Sequence, residues 1–395
     1  MNSSHLPSAL VLFSLLLGTL PAEANNCTAD LVPAATLLLP YFQVDLGNAA
    51  GANTTFSIQN VGPNGVLTKV ELWSDLAVPA GGFMMYLRPR ERRTVDLRRV
   101  LNCALPATVN PAGTFPSCTG ALPPSAAFCA MYDWKKTLTG KPSTFLGGNC
   151  GGRNFNDSIA RGYLTIDTMN TCTTRFQGDP GFWSSGGTGD ASNQNVLAGD
   201  FAIADTSTGP AFSAPLVSIE ARVADPETAT AGNATFYGTQ DGWIAADNRE
   251  PLAGIYGPRF STAPRVGSTD LIVWRDPKVD QNPFTCGTVP AWFPLSQTSI
   301  IRYTDAGAAT LLGGTPFPAA AQRVSALPLT GALGGSGWLR LDLNFSSAAA
   351  GNNPPEAPNR AQAWVGTLIK QIGKYPVSFE SVALNNGCTG TLGYP

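Results

Sequence analysis

Residues 338–345 read Trp-Leu-Arg-Leu-Asp-Leu-Asn-Phe. In an extended chain this puts Leu339, Leu341, Leu343 and Phe345 on one side and Trp338, Arg340, Asp342 and Asn344 on the other. Only a strand gathers these apolar groups on one face; a helix would scatter them around its circumference. Comparable runs lie at 54–60, 66–74, 83–87, 161–167, 216–223, 234–238, 271–275, 298–303, 363–370 and 377–384. Clusters such as Gly62-Pro63-Asn64-Gly65 and Asn385-Asn386-Gly387 separate the runs, and these residue types supply the backbone angles of tight turns. With 42 glycines and 32 prolines in 395 residues, helices are confined to single turns, expected near 96–102 and 251–256. The expected fold is all-β, with two antiparallel β-sandwich-like units, 25–155 and 156–395, joined and decorated by long Gly/Pro-rich loops and disulfides. A Ser/Gly/Asn-rich stretch, 178–199, and the cysteine-rich loops before it mark the region of the boundary.

The first 24 residues have the layout of a secretory signal peptide. An apolar run at 10–20 precedes Ala22-Glu23-Ala24, an A-x-A cleavage pattern, although residues 1–8 carry no Lys or Arg. No later apolar run is long enough to span a membrane. The expected location is therefore outside the cytoplasm: secreted, periplasmic or at the cell surface. Eight cysteines follow the signal: Cys27, Cys103, Cys118, Cys129, Cys150, Cys172, Cys286 and Cys388. An even number in an exported chain points to disulfides, and the absence of C-x-x-C disfavours zinc-knuckle and thioredoxin-type sites. Spacing alone leaves the pairing open.

The only histidine, His5, lies in the signal segment. Without histidine there is no Ser-His-Asp or Cys-His catalysis, and no G-x-S-x-G, Walker A or G-x-G-x-x-G motif occurs either. The balance of 25 basic and 27 acidic residues disfavours nucleic acid as a partner. Carboxylate-only chemistry of the glycosidase type needs no histidine. Its candidates are acids beside indoles, Asp133 with Trp134, Asp241 with Trp243, and Asp276 near Trp274, which could equally be turn residues next to core tryptophans. Arg88, Arg90, Arg92, Arg93, Arg98 and Arg99 form the one local charge anomaly. As a strand, this segment would send Arg88, Arg90 and Arg92 to one face, where guanidinium groups could grip a polyanion or simply solvate the surface. Asp179, Asp190, Asn193, Asn195 and Asp200 could offer oxygen ligands to calcium, but their spacing does not follow the EF-hand pattern, and no cofactor is expected. Glycosylation acceptor patterns begin at Asn53, Asn156, Asn233 and Asn344. The apolar stretch 32–46, with Pro33 and Pro40, fits an edge or first strand, or alternatively a strand donated to a neighbouring molecule.

Several pieces in order resemble an uncharacterised family of secreted bacterial β-rich proteins: LLLPYFQVDL, TTFSIQN followed by VELWSD, GYLTID, NVLAGDF, LVSIEA, NREPL, STDLIVWRD and CGTVPAWFPL. The resemblance spans most of the chain after the signal and implies export and a β fold. It carries no assigned activity and no site residues, and 88–99 is where this chain departs from it. The resulting expectation is an exported, non-catalytic structural, adhesive or assembly protein at the cell surface or outside the cell. Its partner would be a protein, a glycan or a second copy. The alternative is a carbohydrate-binding module or carboxylate-based glycosidase using the Trp/Asp pairs, and a further one is polyanion binding through Arg88 to Arg99.

Overall fold

The computed structural model describes residues 32–106, 131–205, 211–221, 235–238, 247–262, 268–277, 282–330, 335–345, 361–370 and 377–385. The signal segment, Cys27, Cys118, Cys129, Cys388, Asp241, Trp243 and Asn233 lie outside the described residues. The first strands are β1 (Thr36–Asp45), β2 (Asn53–Asn60), β3 (Val66–Ser74), β4 (Pro79–Leu87) and β5 (Arg92–Asp96). Two short helices follow, α1 (Leu97–Leu101) and α2 (Trp134–Leu138), then β6 (Ile159–Met169), β7 (Leu197–Ala204), β8 (Ala211–Pro215) and β9 (Val217–Ile219). The later strands are β10 (Ile255–Gly257), β11 (Arg259–Ser261), β12 (Ser268–Arg275), β13 (Ser299–Thr304) and β14 (Ala309–Leu312). They continue with β15 (Ala321–Ser325), β16 (Ser336–Asp342), β17 (Ala363–Lys370), β18 (Val377–Glu380) and β19 (Val382–Ala383).

These strands form four antiparallel sheets, in the orders β4-β3-β6-β1-β9, β5-β2-β7-β8, β15-β12-β17-β18 and β14-β13-β16-β10-β19, with β11 also on β16. The all-β, sandwich-like expectation holds. The 155/156 division does not follow the strand pairing: β6 lies between β1 and β3, and β7 pairs with β2. Hydrogen bonds join segments more than a hundred residues apart, so a boundary read from loop composition cuts through two sheets. Pairing instead separates at β9/β10, beyond which strands pair only with one another. Even so, one continuous core takes in Leu39, Trp73 and Tyr163 from the first set and Ile272, Trp274 and Trp364 from the second. An aromatic chain links the two sets: Trp73 stacks on Tyr163 at 5.8 Å, Tyr163 meets Trp274 edge-on at 5.8 Å, and Trp274 stacks on Phe236 at 5.5 Å.

Local patterning explains most elements. In and beyond β16, Leu339, Leu341, Leu343 and Phe345 are buried while Trp338 is exposed, as the alternation requires. Helix α1 begins where Asp96 accepts the Arg99 amide at 3.2 Å, an N-cap. Two segments differ from expectation, and a third, expected as an edge or first strand, is the first described strand but not an edge. Ile255–Gly257 is a strand where a helical turn was expected, because its backbone pairs with β16 and β19. Residues 235–238 form a turn rather than a strand, closed by bonds from the Tyr237 and Gly238 amides to the Asp247 and Thr235 side chains. Strand β1 is interior, with β6 on one side and β9 on the other. Its register shifts between Leu39 and Phe42, around Pro40, where a residue without an N–H interrupts the ladder. It is therefore already paired within its own chain.

Cys150 and Cys286 form a disulfide with Cα atoms 5.0 Å apart. The neighbouring backbone reinforces it through paired bonds between Cys150 and Phe284, at 2.9 and 3.0 Å. Cys103 and Cys172 each take part in a disulfide as well. Among the described residues no helix is long and apolar enough to cross a membrane.

Candidate functional site

Of the indoles singled out in the sequence, the two among the described residues, Trp134 and Trp274, are core residues. Trp274 is fully buried in β12 and Trp134 is buried on α2, so neither offers a face for stacking on a sugar. Helix α2 approaches β4 closely at Gly81, where an added Cβ would lie 2.3 Å from Trp134 Nε1. Asp133 has a left-handed backbone, and its Oδ2 accepts the Thr144 amide and hydroxyl at 3.1 Å each and pairs with Lys136 at 3.3 Å. Asp276 is buried, with Gln362 Nε2 at 3.4 Å. These acids organise turns and core contacts.

The arginine segment does not share one face. Arg88 and Arg90 lie in the turn after β4, with Arg90 at φ 58°; Arg92 and Arg93 are on β5, and Arg98 and Arg99 on α1. Among the described residues three have side-chain partners: Arg92 pairs with Asp200 at 2.6 Å, Arg93 with Glu91 at 3.1 Å, and Arg98 donates to the carbonyls of Gly51 and Ala52 at 2.9 and 2.8 Å. The oxygen-rich loop is similarly dispersed. Asp179 accepts the Phe176 amide, Asp190 pairs with Arg175, Asn193 accepts from Arg249, Asn195 pairs with the Ala221 backbone, and Asp200 pairs with Arg92. Among the described residues no group of three or more His, Cys, Asp or Glu could hold a metal ion.

A site absent from the sequence reading lies between the first sheet and the β15-β12-β17 sheet. It is a cleft of about 590 Å³ walled by Tyr41 and Gln43 of β1, Arg153, Phe155 and Arg161 before and within β6, and Asp270, Arg323 and Lys370 of β12, β15 and β17. Strand register explains one wall. Asp270 stands opposite Ser325 and Leu368, two positions from Arg323 and Lys370 on the same face, so both cations reach it diagonally. Asp270 Oδ2 lies 2.7 Å from each cation. On the other wall Arg153 Nε meets the buried Asp75 at 2.6 Å, and Arg161 grips Asp157 with both terminal nitrogens, at 3.0 and 2.7 Å. Phe155, 47% exposed, carries the guanidinium groups of Arg161 and Arg153 over its ring at 4.4 and 5.0 Å.

Electrostatics fixes the protonation of this wall. Burial raises the Tyr41 phenol above its ordinary value, outweighing the pull of Arg161, Arg323 and Arg153, so it remains a hydrogen-bond donor. The hydrogen bond from Arg161 holds Asp157 below the usual carboxylate range. Burial raises Asp75 despite Arg153 beside it. The result is a fixed, half-buried array of cations, a protonated phenol and an exposed phenyl ring. Such a surface can hold an anion through charge-assisted bonds that a partly desolvated setting strengthens.

A second charged cluster lies within the core. Lys69 and Glu71, neighbours on one face of β3, meet at 2.5 Å, each at most 3% exposed, and Lys69 sits over Phe176 and Phe182 at 5.2 and 5.1 Å. Asp167, opposite Lys69 in β6, accepts from Tyr237 at 2.8 Å and Gln177 at 3.1 Å and is bonded by Thr36. Arg249 donates to Thr36, Asn193 and the Ser192 carbonyl at 2.7, 2.8 and 2.8 Å. This cluster ties the 175–193 segment to the sheet. Burial pushes the Glu71 carboxyl up to about 7 and Asp247 up to about 6, against the opposing pull of Lys69 and Arg249. Both groups keep their protons in the folded chain at pH values where the unfolded chain has lost them. Stability is therefore expected to fall as pH rises from about 4.5 to about 7 and to level off above that. Urea midpoints at pH 5 and pH 7.5 check this, and a higher midpoint at pH 7.5 contradicts it. Glu71→Gln should flatten the slope.

No protein-family model, no curated protein and no solved structure matches this chain.

Proposed function

We propose that this is an exported, non-catalytic protein of adhesion or assembly at the cell surface or outside the cell, and that it grips its partner through an anionic group seated in the Arg153–Arg161–Arg323–Lys370 cleft. The cleft carries this reading: four cations from three separate parts of the chain converge on one open concavity with an exposed phenyl ring. Export rests on the signal-like segment 1–24 and on the cysteine content, in keeping with the resemblance to secreted bacterial β-rich proteins. The absence of histidine after position 5 supports a role in binding rather than acyl or metal-hydrolytic catalysis.

The test is retention of the protein on a carboxylated resin at about 0.15 M salt, where long-range attraction is largely screened. Arg161→Gln with Arg323→Gln should elute at distinctly lower salt than the parent chain. Arg88→Gln with Arg99→Gln should elute with the parent. The reverse ranking would move the binding surface to the arginine segment at 88–99. Export is checked separately, by recovering a chain that begins at Asn25 outside the cytoplasm.

A further inference from the structure

We infer that the ligand of the cleft is an acidic saccharide, a sugar unit that carries one carboxylate among its ring hydroxyls. This rests on the anion-binding reading above. Charge is the first argument. Arg153, Arg161, Arg323 and Lys370 are matched by Asp75, Asp157 and Asp270, so the cluster carries one net positive charge. That suits a single carboxylate. A phosphate dianion or a sulfated polymer would leave uncompensated negative charge in a half-buried setting.

Donor geometry is the second argument. Arg153 binds Asp75 through Nε, and no bond to its two terminal nitrogens occurs among the described residues. That edge is a planar fork matched to a carboxylate. Third, the other polar groups of the lining suit hydroxyls, which both donate and accept: the Tyr41 phenol, which donates to Gln43 Oε1 at 3.4 Å, and the amides of Gln43 and Gln322. Phe155 and Pro318 offer apolar surface to the C–H faces of a ring.

Size and the state of the backbone narrow the class further. At about 590 Å³ the cleft is far larger than an inorganic anion and falls within the range of roughly 300–1,000 Å³ typical of organic ligands. A peptide adding as a strand would need an open backbone edge. At the start of β15, the edge strand of its sheet, the Ala321 amide already donates to the Asp75 carbonyl at 3.1 Å, which closes that one position, and an acidic peptide added along the rest of the edge is a separate outcome of the test.

Calorimetric titration of the full mature protein with trigalacturonate, one ring and one carboxylate of which would enter the cleft while the others stay in solvent, tests the inference, alongside maltotriose, inorganic phosphate and a triaspartate peptide. Saturable binding of trigalacturonate is expected, weakened at least tenfold by Phe155→Ala and by Arg323→Gln. Both variants keep the Arg153–Asp75 pair, and Asp270 keeps Lys370 when Arg323 is replaced. Retained circular dichroism and urea midpoints separate loss of binding from loss of fold. Binding of phosphate without trigalacturonate overturns the saccharide inference and leaves the anion-binding reading standing. Tighter binding of triaspartate transfers the site to an acidic peptide, and equal binding of maltotriose removes the carboxylate from the argument. If none of the four binds, both readings fall.

Discussion

Replacing Arg275 by Met is expected to cost the fold about 3–5 kcal/mol, the range for removing one member of a buried charged network. Arg275 is fully buried at the end of β12. Its guanidinium donates to the carbonyls of Ser296, Phe317 and Leu343 at 2.6, 2.7 and 2.7 Å, with Leu295 at 3.4 Å, and lies 5.6 Å from the Phe345 ring. One side chain thus supplies donors to carbonyls of three loop segments. Methionine fills much of the volume but donates nothing, and each buried carbonyl left without a donor costs about 1–3 kcal/mol. Burial already draws the arginine down to about 9, with Asp276 acting the other way, so the charge is expensive and is kept for its geometry. Urea unfolding at pH 7 measures the loss. Arg259→Met is the control, because Arg259 is 72% exposed and 3.9 Å from Asp305, and it should change stability by less than about 0.5 kcal/mol. Equal midpoints for the two variants would show that the loops hold without Arg275.

The second large effect is expected from Cys150→Ala with Cys286→Ala. The bridge joins positions 136 residues apart. The entropy of so long a closed loop in the unfolded chain places the loss near the upper end of the roughly 2–5 kcal/mol typical of a native disulfide. The effect also reaches the cleft. Arg153 and Phe155 follow Cys150 by only a few residues, and the Cys150–Phe284 backbone pair registers that segment against the second set of strands. Removing the bridge should therefore lower the urea midpoint and weaken retention on the carboxylated resin. A lower midpoint with unchanged retention would show that the Arg153–Asp75 pair alone positions the wall. The double replacement leaves no unpaired thiol to exchange, so the comparison reads the cross-link itself.

How far the sequence announces this structure depends on how each strand is buried. Strand β16 shows its alternation because one face is covered and the other wet, and the expected strands at 66–74 and 363–370 coincide with β3 and β17. β1 is covered on both faces over most of its length, so its apolar run does not distinguish an interior strand from an edge. β5, β8 and β15 are five residues each, too short for a period to stand out. The tryptophans mislead for a related reason: an indole beside an aspartate reads the same whether it stacks on a ligand or fills a core, and only Gly81 under Trp134 hints at close packing. The cleft leaves no local trace at all. Tyr41, Arg161, Asp270, Arg323 and Lys370 are scattered single residues in the chain, and strand register alone makes them neighbours. The proposals of export and of a non-catalytic role, by contrast, rest on the sequence, through its first 24 residues and the lack of histidine after position 5.

The position of β1 also has a consequence for how the chain is made. Thr36 pairs with Asp167 on one side and with Ile219 on the other. β1, the first of the described strands, therefore waits for partners that emerge more than a hundred residues later, while β3 and β4 can close as a local hairpin at once. Long-range pairing of this kind slows folding. A chain threaded N-terminus first through a membrane pore would complete its central sheet only after residue 219 had crossed, so its topology favours staying unfolded until transit is well advanced.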